Sequence, residues 1–164
     1  MQLPNFPAVS GSHPWVDVET ILTSRTHPVI ALGIQRGTQM IVALAVHDRP
    51  DVAAFTVARS VLSGAGNFTP PVTIARDFGV SDQPWSELVL YYGAQFVVSP
   101  SHTRNTRLIA NLAEALGELP RRVDARIIYQ RVAEWAHKKN KDLLDNKNNI
   151  SRGPKDNSVS QVWR

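Results

Sequence analysis

Five histidines, one His-Asp dipeptide and eighteen arginines and lysines are the residues of this chain best equipped to move a proton or hold a phosphate. His47-Asp48 follows an apolar run, the arrangement of a base and an orienting carboxylate. His102 and His137 stand among basic residues, where an imidazole could act as base and the cations as clamp in a metal-independent nuclease or toxin. The five histidines, at 13, 27, 47, 102 and 137, show no metal-ligand spacing. With no cysteine in the chain, disulfides, thiolate nucleophiles and Cys-based metal sites are excluded. Gly64-Ala65-Gly66 is followed by neither GK[ST] nor a helix-opening GxGxxG, so it reads as a turn and not a phosphate loop. Paired carboxylates at catalytic spacing ahead of a Lys are not found. No catalytic residue, metal or cofactor is therefore expected.

What remains is positive charge, and it is unevenly placed. Residues 1–100 hold five Arg against seven Asp or Glu, net −2, whereas residues 101–164 hold eight Arg and five Lys against seven acids, net +6. A localised positive field attracts phosphate backbones. Arg104, Arg107, Arg121, Arg122, Arg126, Lys138, Lys139 and Lys141 are the candidate nucleic-acid contacts, acting on phosphates with little regard for sequence. Tyr129 and Trp135 could stack on bases, but their spacing assigns them to packing.

The elements that must carry these residues follow from periodicity. Residues 1–14 form a Pro-rich arm with spaced apolar Leu3, Phe6 and Val9. Residues 15–24 are expected to be a short helix, with Pro14 in its first turn and Asp17 and Glu19 favoured by the helix dipole. PVIALGIQ and QMIVALAV, separated by Arg36-Gly37-Thr38, read as a hairpin buried on both faces. A helix is expected over 52–63 with Asp51 as N-cap, a short strand over 72–76, a helix from Pro84 to about Ala94, and strand character at 96–98. Two amphipathic helices follow. The first buries Leu108, Ile109, Leu112, Ala115 and Leu116; the second, over 121–144, buries Val123, Ile127, Ile128, Val132, Trp135 and Leu143. The organisation is thus an N-terminal arm (1–14), an α+β domain (15–100), a basic helical hairpin (101–144) and a polar C-terminal tail (145–164).

Within that hairpin, LAEALGELPRRVDARI resembles the helix-turn-helix of bacterial DNA-binding regulators: Ala113 permits close crossing, Gly117 makes the turn, and Val123 and Ile127 seat the second helix. The resemblance covers about twenty residues and would place Arg121, Arg122, Asp124, Ala125 and Arg126 at the groove. Glu118 replaces the usual apolar residue after the Gly, and the second helix is longer than in that family.

The chain lacks a signal-peptide pattern and any run approaching the roughly 18–20 apolar residues of a membrane span, so a cytoplasmic or virion-associated protein without a membrane partner is expected. A hydrophobic share of 43% with 20% charge is enough for a real core. The arm, together with Val162 and Trp163 in the tail, suits exchange between subunits of a homo-oligomer. The resulting expectation is an α+β, non-enzymatic, self-assembling protein of viral or phage coat or nucleocapsid type, its basic helices contacting nucleic acid. A helix-turn-helix regulator is the alternative and the small nuclease the third.

Overall fold

The computed structural model describes residues 5–10, 14–24, 26–66, 68–74, 82–98 and 104–151. The architecture is α+β, as expected, built on one five-stranded mixed sheet. Its strands are β1 (Val16–Ile21), β2 (Val29–Gln35), β3 (Ile41–His47), β4 (Val72–Ile74) and β5 (Phe96–Val98), in the order β3-β2-β1-β4-β5. β1, β2 and β3 form an antiparallel meander, while β4 and β5 run parallel to β1. Four helices complete the fold: α1 (Pro50–Gly64), α2 (Gln83–Tyr92), α3 (Thr106–Leu116) and α4 (Ala125–Ser151).

The alternation of side chains along each strand divides the core in two. Val16, Val18, Val29, Ala31, Val72 and Ile74 pack against α1 and α2; Ile30, Leu32 and Ile34 pack against α3 and α4. β2 is therefore buried on both faces, which is why its sequence is a continuous apolar run. α1 lies close because it meets the sheet through Ala53, Ala54, Val57, Ala58 and Val61, and because β2 presents Gly33 beneath it. A chain of edge-to-face rings, Phe55 to Trp85 at 5.4 Å and Trp85 to Phe96 at 5.3 Å, ties α1, α2 and β5 together.

α4 starts on the face shared with α3, where Ile128, Val132, Ala133 and Ala136 are buried, and then reaches the rim of the sheet. There Asn140 acts as a strand mimic: its Oδ1 accepts from Ile41 N–H at 2.8 Å and its Nδ2 donates to Ile41 C=O at 2.8 Å. One turn later Leu143 touches the opposite core.

Several expectations change. Residues 16–21 are a strand and not a helix: VDVETI alternates strictly enough to bury Val16 and Val18 on one face and place Asp17 and Glu19 on the other. The N-cap of α1 is Arg49, with Pro50 opening the helix and Asp51 in its first turn bonded to Arg49. α4 runs from 125 to 151, not 121 to 144, which leaves Ile127 46% exposed and puts Val123 before the helix. Residues 117–124 separate α3 from α4, so Arg121 and Arg122 lie in a connection and not on a recognition helix, and the tight turn of a helix-turn-helix is not formed. The arm packs on its own chain: Val9 is 4% exposed in the core and Phe6 stacks on His137 at 5.0 Å. Leu3, Val162 and Trp163 lie outside the described residues.

Two packing predictions follow from close approach and from the strand mimic. A Cβ at Gly33 would sit 3.1–3.2 Å from Val61, Ala43 and Val57, so Gly33→Ala should lower the unfolding free energy in urea by about 1–3 kcal/mol. At Gly64 a Cβ meets nothing, and Gly64→Ala should raise it by about 0.5–1 kcal/mol. Asn140→Ala strands two buried backbone groups of Ile41 and should cost about 2–3 kcal/mol in the same titration.

Candidate functional site

The centre of the sheet carries a polar cluster on the α3/α4 face. Because Val16 and Val18 must point into the α1 core, Asp17 and Glu19 are forced to the other face, and both are buried at 0% and 4% exposure. Two carboxylates out of water would cost several kcal/mol each without partners, and the fold brings partners from far along the chain.

Arg36, at the end of β2, donates through Nε to Asp17 Oδ1 at 2.9 Å, with Nη2 also 2.9 Å from that oxygen and 3.0 Å from Thr73 Oγ1. Its guanidinium lies 4.6 Å from the Trp15 ring centroid, and the Trp15 indole N–H bonds Thr73 Oγ1. Thr73 reaches the cluster because β4 pairs in parallel with β1, setting Asp17 beside Thr73 and Thr73 beside Val97 of β5.

Asn105 completes the site from α3. It stands at the N-cap, where an Asn side chain usually accepts from the first-turn backbone N–H groups, yet it makes no cap bond. Its Nδ2 instead donates to Asp17 Oδ2 at 3.3 Å and Glu19 Oε1 at 2.9 Å, at the positive end of the helix. Asn105 is 1% exposed, and its Oδ1 has no partner among the described residues. Arg104, whose side chain is 52% exposed, holds Nη1 at 3.6 Å from Asp17 Oδ2. The four formal charges Asp17, Glu19, Arg36 and Arg104 sum to zero.

Next to the cluster opens a cleft of about 450 Å³ lined by Pro14, Trp15, Arg36, Gly37, Pro71 and Arg104. Both guanidiniums thus face solvent-filled space on one side and a buried carboxylate on the other. Among the described residues no three His, Asp or Glu side chains gather. The oxygens gathered here are those of the two carboxylates and the Asn105 carbonyl, a hard set of the kind Mg²⁺ and Mn²⁺ take.

Of the basic residues singled out in the sequence, Arg104 alone joins this cluster. Arg107 is exposed on α3, Arg121 and Arg122 are exposed in the connection before α4, and Arg126 is exposed in the first turn of α4. Lys138 and Lys141 are exposed and Lys139 half-buried further along that helix. Arg126 and Lys138 are twelve residues apart, about 18 Å along the axis. They do not form one patch. Trp135 packs in the second core with its indole N–H on Asn111 Oδ1 at 3.1 Å, and Tyr129 packs beside it. His47 is the last residue of β3 and its Nδ1 accepts from Arg49 N–H at 3.1 Å, and His137 is engaged with Phe6. His102 lies outside the described residues. Asp17, Glu19, Asn105 and Arg36 are the site residues that the sequence reading misses. The signal that could have found the two acids is the strict alternation of VDVETI.

No helix among the described residues is long and apolar enough to cross a membrane. No protein-family model matches the chain, and no curated protein does. Among solved structures it is similar to the catalytic core domain of BIV integrase, with 14% identity over 75% of this chain and 82% of that one and a TM-score of 0.45. That structure is an enzyme core and not a coat protein, and the expectation of a self-assembling coat or nucleocapsid protein is corrected accordingly.

Proposed function

We propose that this chain is a divalent-cation-dependent enzyme acting on the phosphodiester bonds of nucleic acid, with Asp17 and Glu19 as its acidic centre. The observation that carries the reading is the pair of carboxylates buried side by side on the central strand, next to an Asn105 carbonyl without a hydrogen-bond partner among the described residues. A core that needed only stability would place apolar residues there, since a buried ionic cluster is at best weakly stabilising. Phosphodiester chemistry supplies a reason to keep it: a bound cation lowers the pKa of an attacking water and offsets charge on the phosphoryl oxygens.

This chain's residues would divide the work as follows. Asp17, Glu19 and Asn105 Oδ1 offer oxygen ligands; Arg36 and Arg104 present N–H donors to phosphoryl oxygens, where preorganised cations lower the barrier most; Trp15 fixes the Arg36 plane. Nucleic acid is favoured over smaller phosphoesters by the continuation of positive charge from Arg104, just before α3, to Arg107 in its first turn, and by the +6 of residues 101–164.

A second reading, a nucleic-acid-binding module without chemistry, is favoured by one observation: Arg36 already occupies Asp17 Oδ1 through two nitrogens. Cleavage assays separate the two. End-labelled DNA and RNA, single- and double-stranded, should be cut by the full chain in Mg²⁺ or Mn²⁺ and left intact in EDTA. Asp17→Asn and Glu19→Gln should each lower the rate by more than about 100-fold, since even outer-shell partners of a metal are worth 10–100-fold. Binding that persists without cleavage of any of these substrates in either metal would favour the second reading and remove the first.

A further inference from the structure

The cleft beside the cluster is lined by its two arginines, and their charge constrains what it can hold. Asp17, 0% exposed, is held by Arg36 and Arg104. A dication brought to Asp17 adds positive charge beside two guanidiniums, and a phosphate dianion on those guanidiniums offsets it; out of water an unbalanced pair of charges is costly.

Geometry makes the same demand. Both oxygens of Asp17 are taken, Oδ1 by Arg36 at 2.9 Å and Oδ2 by Asn105 at 3.3 Å with Arg104 at 3.6 Å. A cation reaches Asp17 only when the guanidiniums draw back. Beside them lies the cleft of about 450 Å³ that Arg36 and Arg104 line with Trp15, a volume within the range of small-molecule sites. Its walls of Pro14, Pro71 and Gly37 add no carboxylate, and a planar guanidinium pair is the residue chemistry suited to bidentate capture of phosphate.

We infer that the Trp15–Arg36–Arg104 cleft is a phosphomonoester site, and that its occupation releases Asp17 for a divalent cation. The inference rests on the acidic centre proposed above and adds to it an order of assembly: phosphate and cation bind with positive cooperativity. Linkage requires the effect to be reciprocal. The phosphate could belong to a free nucleotide or to the end of a nucleic-acid strand, and the chemistry at the two arginines is the same for both.

The test uses the full chain, Mn²⁺ followed by its EPR signal, and methyl phosphate as the probe. Saturating methyl phosphate should tighten Mn²⁺ binding about 10-fold or more, within the usual range of coupling between sites, and Mn²⁺ should tighten methyl phosphate by the same factor. Arg104→Ala, with its folded state verified by the unfolding transition, should abolish the coupling, whereas Arg107→Ala should preserve it. A mononucleotide and an oligonucleotide with a terminal phosphate, each compared with its unphosphorylated form, identify the source: equal coupling assigns free phosphomonoesters, coupling by the oligonucleotide alone assigns a strand end. Mn²⁺ binding indifferent to every phosphate, or coupling that survives Arg104→Ala, overturns the inference while leaving the acidic centre standing. Failure of Mn²⁺ to bind under any condition removes both.

Discussion

Two carboxylates on the middle strand of a sheet are the constraint around which this fold is arranged. Their desolvation cannot be tolerated unless cations and amide donors are delivered to the same few ångströms, and each neighbouring element delivers one. β2 is followed by Arg36, β4 contributes Thr73, and α3 is preceded by Arg104 and its N-cap Asn105. Moving any of these elements would leave charge buried without compensation, so the polar cluster restricts the register of the sheet as strongly as the apolar cores do.

The division of β1 into an apolar and an acidic face also explains why the two halves of the molecule look different. On the α1/α2 side, small residues allow close packing and the surface is filled by Ala, Val and Gly33. On the α3/α4 side, apolar packing covers β2 and β3, and gives way to polar groups over β1 and β4. The boundary between them is where Arg36 turns from the hairpin toward Asp17.

Much of the scaffold was legible from periodicity. The β2–β3 hairpin announces itself as two apolar runs around Gly37, α1 by its apolar face, and the α3–α4 pair by its stripes, because each depends on residues close in sequence. The site did not announce itself. Arg36 lies 19 residues from Asp17, and Asn105 lies 88 from Asp17 and 86 from Glu19, so no local spacing links them. Pro14 ahead of two acids mimics the first turn of a helix, and that local signal masked the alternation that buries Val16 and Val18. The basic residues spread for the complementary reason: Arg126 and Lys138 are close in sequence but separated by twelve residues of helix. Arg104 was legible as a cation but not as the partner of a carboxylate 87 positions earlier.

The way α4 meets the sheet has a topological consequence. Asn140 supplies Ile41 with the N–H and C=O partners that a sixth strand would otherwise provide, and arm residues 5–9 line a shared cleft with Val42, Leu44, Ala45 and Val46 farther along the same strand. The β3 rim is thus covered at Ile41 by a side chain of α4, while at the other rim β5 is three residues long with Val97 and Val98 exposed. A helix side chain that takes a strand's place at Ile41 withdraws that N–H and C=O from any other strand, so a pairing along β3 that needed them is blocked.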